Sequence, residues 1–251
     1  MLIFFSSPTR APVFVRMLRR VTAAAMLLGA GAAASAAPPA VEDSMAQRLL
    51  ACTGCHGAQG RAASDGYYPR IAGKPAGYLY HQLLNFRDGR RQYALMNKLL
   101  APLDDAYLRE IATYFSTLDL PYPAPQRASG SVDQLSRGES LVTRGDTTRG
   151  IPACTACHGA ALMGLAPAVP ALLGMPRDYL NAQLGGWRTG ARRAMAPDCM
   201  AQIAERLAPE DIGALSQWLA AQPVPAHAKP ATELPAPMPL ACGGVTAEVR
   251  P

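Results

Sequence analysis

Two short clusters in this chain combine thiols with an imidazole at fixed spacing: Cys52-Thr53-Gly54-Cys55-His56 and Cys154-Thr155-Ala156-Cys157-His158. Thiols three residues apart can reach the two vinyl groups along one edge of a porphyrin, and the next residue then brings an imidazole beneath the iron. Cys-x-x-Cys-His is accordingly the attachment pattern of c-type haem. The competing readings are a zinc site and a redox dithiol. The two pairs lie 102 residues apart, much farther than the halves of a zinc ribbon, and neither is surrounded by the βαβ pattern that carries a thioredoxin-like dithiol. Two copies, each with its histidine, predict two covalently bound haems c.

An electron-transfer haem needs a sixth ligand, and a methionine thioether is the usual partner of histidine because it favours ferrous iron. Met96 lies 40 residues after His56 and Met200 lies 42 after His158, and each stands seven residues before a leucine, Leu103 or Leu207, that opens the last helix of its half. That equivalence assigns Met96 and Met200 to the irons. Met163, Met175 and Met195 lack counterparts and read as core filler, with Met195 the reserve ligand of the second half. Pro69 and Pro170 follow their histidines by 13 and 12 residues. A carbonyl there could accept the imidazole Nδ1 proton, against the plainer reading of a turn proline. Arg87 and Arg188 could pair with haem propionates or, equally, face solvent on a helix. Cys199 and Cys242 are left over; a disulfide between them would close a 43-residue loop and clamp the tail beside Met200. An axial Cys199 thiolate would break the repeat. His81 and His227 have no repeat partners and are expected to be solvated.

The elements that position these residues belong to a duplicated unit. Pro69, Gly73, Pro75, Tyr78, Gln82, Arg87 and Gly89 recur as Pro170, Gly174, Pro176, Tyr179, Gln183, Arg188 and Gly190, an offset of 101, while Met96 and Leu103 recur at 104. Drifting offsets mark loop insertions between fixed elements. Apolar spacing within each copy is helical: Tyr78, Leu79, Gln82, Leu83 and Phe86, then Leu108, Ile111, Ala112, Phe115 and Leu118; in the second copy Tyr179, Leu180, Leu184 and Trp187, then Ile212, Leu215, Trp218 and Leu219. No useful run alternates with strand period, so the fold class is all-α. The 251 residues, 49% hydrophobic and 17% charged, suit two globular domains. With only 6% aromatic residues their cores would be thin without a bulky apolar cofactor. The expected divisions are a leader over 1–36, a first domain over 37–120, a Pro-rich linker over 121–132, a second domain over 133–222 and a Pro-rich tail over 223–251.

The leader carries Arg10, Arg16, Arg19 and Arg20 and no acidic residue, then the apolar run Val21 to Ala34, then Ala34-Ser35-Ala36. This is a secretory signal peptide, with Met17 as an alternative start to Met1. Its removal lowers the formal net charge from +6 to +2, which leaves no electrostatic case for nucleic acid. Peripheral membrane association stays open. Export places the chain in the periplasm, an oxidising compartment where a disulfide persists.

With these residues in view, the sequence resembles the dihaem cytochromes c of the cytochrome c4 family. The likeness covers nearly the whole mature chain: both Cys-x-x-Cys-His clusters, Pro69-Arg-Ile-Ala-Gly73-Lys-Pro75, Phe86-Arg87-Asp88-Gly89-Arg90, and Arg144 to Cys154. The resemblance implies two tandem class I cytochrome c domains, each wrapped around one haem c with His/Met ligation. It implies a carrier of single electrons from a quinol-oxidising complex or dehydrogenase to a terminal oxidase or reductase, with one exposed haem edge per domain. The Pro-rich tail and the Cys199/Cys242 pair depart from the best-known members. The rival expectations are a dihaem oxidoreductase with an open axial site, peroxidase-like or thiosulfate-oxidising, and the fixed cytochrome subunit of a dehydrogenase complex.

Overall fold

The computed structural model describes residues 42–64, 66–226 and 229–245. The leader over 1–36 and His227 lie outside the described residues. Among those described, helices and short 3-10 turns are joined by loops, and extended backbone pairs only in isolated bridges. The all-α expectation is met, and none of the described helices is long and apolar enough to cross a membrane.

The first half contains α1 (Met45–Arg48), α2 (Leu50–His56), α3 (Ala76–Arg87), α4 (Ala94–Leu100) and α5 (Asp105–Thr117). The helix α2 stops directly after its histidine because Gly57 turns the chain at φ +74°; a Cβ there would stand 2.1 Å from the Ala62 carbonyl oxygen. Asp104 caps α5 by accepting the Tyr107 amide at 2.8 Å. Leu108, Ile111, Ala112 and Phe115 form the buried stripe of α5, and with Leu49, Leu79 and Leu100 they make one hydrophobic core.

The second half contains α6 (Val132–Thr143), α7 (Thr155–His158), α8 (Arg177–Thr189), α9 (Cys199–Arg206) and α10 (Pro209–Ala221). Proline at the first position of α10 removes an amide that has no helical partner in any case. The helices α6 and α10 cross at Gly138, where a Cβ would meet the Ala214 carbonyl oxygen at 2.3 Å, so only glycine permits this approach. A separate core gathers Val142, Leu180, Leu207, Ile212, Leu215 and Leu219. Asp211, fully buried, binds Arg137 on α6 and Arg149 in the 147–149 turn.

The linker is held along its first residues. Arg70 donates to the Leu120 and Pro121 carbonyls at 2.5 and 2.9 Å, and its guanidinium lies 4.1 Å from the centre of the Tyr122 ring. The halves also meet directly. Arg91 and Arg192 form an antiparallel bridge, flanked by the Gln92 amide donating to the Ala191 carbonyl at 2.8 Å and the Arg193 amide to the Arg90 carbonyl at 2.7 Å. The tail returns over the second half, and Cys199 is disulfide-bonded to Cys242.

Candidate functional site

Each half encloses a largely apolar cavity against which its Cys-x-x-Cys-His cluster stands. The first measures about 700 Å³ and is lined by Cys52, Cys55, His56, Pro69 and Met96; the second measures about 190 Å³ and is lined by Cys154, Cys157, His158, Pro170 and Met200. All ten of these sequence-predicted residues therefore converge in two equivalent groups.

The imidazoles are oriented identically. His56 Nδ1–H donates to the Pro69 carbonyl at 2.8 Å, and His158 Nδ1–H to the Pro170 carbonyl at 2.8 Å. This fixes the tautomer and leaves each Nε2 with its lone pair for a metal. Burial lowers both histidines below their usual value, opposed by the proline carbonyls. Burial pushes the Cys154 thiol up to about 12. Among the described residues no three His, Cys, Asp or Glu side chains come together that could hold a metal ion by themselves.

Arg87 and Arg188 line neither cavity, which corrects their expected place beside the haem. Arg87 donates to the Leu103 carbonyl at 3.2 Å and to Asp105 at 2.6 Å, and Arg188 donates to the Leu207 carbonyl. Both sit at the C-terminal end of their helix and reach across to the chain entering the last helix of their half, so they are ties between helices. His81 is half-buried against the second cavity, not solvated. Met163 is core filler as expected, whereas Met175 and Met195 line the second cavity beside Met200.

Besides Arg48, which pairs with Asp43, and Arg70, which holds the Leu120 and Pro121 carbonyls, the cations that line the cavities are Arg91, Arg192 and Lys74. The two cavities share a wall of Tyr78, Gln82, Tyr179, Gln183 and Arg192. Arg91 donates to Gln82 at 3.0 Å and to Gln183; Arg192 donates to Gln183 at 2.7 Å and to Gln82 at 3.3 Å. Lys74 is buried with its ammonium 3.9 Å from the Met175 sulfur, and burial brings it down to about 8. None of the three has a carboxylate partner on the described chain. Two buried cations and the half-buried Arg91, all without anions, fit a ligand that brings carboxylates of its own, as a haem does with its propionates. Arg91 and Arg192 stand at the same 101-residue offset as the rest of the repeat, a signal that could have found them.

Comparison with known proteins agrees with this geometry. The thiosulfate dehydrogenase electron acceptor of Thiomonas intermedia (strain K12) is 38% identical over 212 residues, covering 83% of this chain and 92% of its own. Cytochrome c4 of Pseudomonas aeruginosa is 34% identical over 177 residues, covering 68% and 84%. The chain belongs to the cytochrome c4 family. The fold matches the crystal structure of reduced recombinant cytochrome c4 from Pseudomonas stutzeri with a TM-score of 0.61 at 29% identity, over 70% of this chain and 95% of that one. It also matches thiosulfate dehydrogenase (TsdBA) from Marichromatium purpuratum with a TM-score of 0.61 at 33% identity, over 69% of this chain and 36% of that one. No family model matches the chain. As a cytochrome c4 relative the protein is an electron carrier with covalently bound haem c rather than an enzyme, and its fold is that of tandem class I cytochrome c domains.

Proposed function

We propose that this protein is an exported, periplasmic dihaem cytochrome that takes single electrons from a thiosulfate-oxidising dehydrogenase and passes them to a terminal oxidase or reductase. The observation that carries the reading is the pairing, in each cavity, of a histidine oriented by a proline carbonyl with a methionine at the equivalent place of the repeat. His56 and Met96 would hold the first iron and His158 and Met200 the second, with Cys52, Cys55, Cys154 and Cys157 as thioether attachments. The two domains would run over 37–120 and 133–222. The donor class rests on relatives named as acceptors of thiosulfate dehydrogenase, at 38% and 35% identity.

A six-coordinate haem supplies one-electron exchange between ferric and ferrous iron with little change of geometry. The chain's part is to hold and insulate. The Nδ1–H bonds to Pro69 and Pro170 make each imidazole a firmer donor, the apolar linings exclude water, and Arg91, Arg192 and Lys74 offer the propionates a positive wall. A stepwise redox titration with and without carbon monoxide, after a pyridine haemochrome count, tests the reading. Two low-spin haems per chain that ignore the gas are expected, together with reduction by a thiosulfate-oxidising dehydrogenase and its substrate. A haem that binds carbon monoxide in the native state would overturn the assignment of its methionine.

A further inference from the structure

The two halves repeat one face, and only one copy of it is bare. In the register that equates Met96 with Met200, Leu95 and Leu99 of α4 correspond to Cys199 and Ile203 of α9. Leu95 and Leu99 line the first cavity at its mouth and are 61% and 41% exposed. Cys199 and Ile203 line the second cavity and are half-buried. What covers them is the C-terminal segment. Prolines 235, 237 and 239 have no amide proton and keep the segment out of a helix, and burial alternates from residue to residue along 237–242. Met238, Leu240 and Cys242 line the second cavity, while Pro237, Pro239 and Ala241 are exposed.

This segment is anchored in three places. The Ala231 amide donates to the Gly164 carbonyl at 2.9 Å, and the Ala231 carbonyl accepts from the Ala166 amide at 2.8 Å. Cys242 is bonded to Cys199. The Gly243 amide donates to the Pro197 carbonyl at 2.9 Å, and a Cβ on Gly243 would lie 2.2 Å from the Ala196 carbonyl oxygen, so the backbone itself is seated on the loop before α9. The exposed large apolar side chains show the same asymmetry. Leu50, Tyr67, Leu95 and Leu99 belong to the first half, and three of them line its cavity; the second half shows Val132, away from either cavity. Cys55 is exposed and Cys157 is half-buried.

We propose that residues 229–245 are a built-in cover over the second haem pocket, and that electrons pass between this protein and its redox partners through the rim of the first pocket at Leu95 and Leu99. The partner that fits this rim presents an apolar face with a carboxylate at its edge, opposite Lys98, which is exposed between the two leucines and has no ion pair among the described residues. The second haem then exchanges electrons through the first, across the wall that the cavities share.

The inference rests on the two-haem reading, and its test is separable from it. In the reduced holoprotein, haem methyl resonances are assigned by their contacts with Leu95 and Leu99 or with Ile203, and a neutral soluble gadolinium chelate is added. Several-fold stronger relaxation of the first haem's methyls is expected in the intact chain, and in a chain ending at Gln222 the second set should rise to match. Equal enhancement of both sets in the intact chain, a measurement that needs no variant, would overturn the cover. Lys98→Glu should slow oxidation by hexacyanoferrate(III) several-fold at low ionic strength; an unchanged rate would overturn the route. A haemochrome count of one haem per chain would instead overturn the two-haem reading itself.

Discussion

Asp211 separates the two halves experimentally. Its carboxylate is fully buried and accepts the Ala208 amide at 3.1 Å, Arg137 at 2.6 Å and Arg149 at 2.6 Å, tying α6 and the 147–149 turn to the start of α10. Asp211→Asn keeps the shape, removes the charge and turns one acceptor into a donor facing an arginine. A hydrogen bond to a charged group contributes about 1.5–3 kcal/mol, and breaking a buried pair costs about 3–5 kcal/mol. Arg137 and Arg149 keep 50% and 31% of their side-chain surface, so the lower end applies, about 3 kcal/mol. For a domain of about 100 residues this lowers Tm by about 12–24 °C. The first half is an internal control, because Tyr107 stands at the equivalent place and Asp104 caps α5 instead. Both tryptophans, Trp187 and Trp218, lie in the second half, so their fluorescence follows that half in urea while amide exchange of α5 follows the other. Burial pushes the Asp211 carboxyl up, but Arg149, the Ala208 amide and Arg137 together hold it below the ordinary value. Its contribution is therefore complete above the unfolded value of about 4 and is lost as pH falls through the lower folded value. The gap between parent and variant should close in acid. A tryptophan transition that does not move, or a gap that stays constant into acid, would refute the reasoning.

Met96→Leu and Met200→Leu should each leave one haem high-spin or misligated at a lowered potential, read by the far-red sulfur–iron band and redox titration; if Met200→Leu changes neither, the ligand of the second half is Met195. Denatured, unreduced holoprotein should show no labelled thiol at Cys199 or Cys242. Replacing both by alanine frees a 43-residue loop in the unfolded chain, lowering stability by about 4 kcal/mol on the chain-entropy account, and an unmoved denaturation midpoint would sink that account. Gly138→Ala drives a methyl into the Ala214 carbonyl and should destabilise the second half by about 1–3 kcal/mol, measured by the same tryptophan transition.

Much of the site was legible because haem attachment is local in sequence: two thiols and an imidazole on one helical turn, with the repeat to select Met96 and Met200. Helical periodicity announced α3, α5, α8 and α10 for the same reason, since each buries one stripe. Arg87 and Arg188 misled because a repeated basic residue near a helix end has two uses, and the nearby carbonyls of Leu103 and Leu207 are invisible until the chain is folded. Arg91 and Arg192 were hidden in a run of arginines, where only the pairing of the two halves gives them a task. His81 looked solvated on its own helix, and it is the distant Gly244 that lies beside it, 3.6 Å from where a Cβ on that glycine would stand.

The seam between the copies is isologous, in that the same patch is used by both partners. Arg91 reaches Gln82 and Gln183 while Arg192 reaches Gln183 and Gln82, so exchanging the copies returns the same set of bonds. This is the architecture of a two-fold homodimer drawn into one chain, with residues 121–131 as the tether. A single copy cut free would display a self-complementary polar patch and pair through it. The symmetry is broken where Lys74 of the first copy faces Met175, the residue at its own repeat position, across the seam, and again by the C-terminal segment, present once for two pockets.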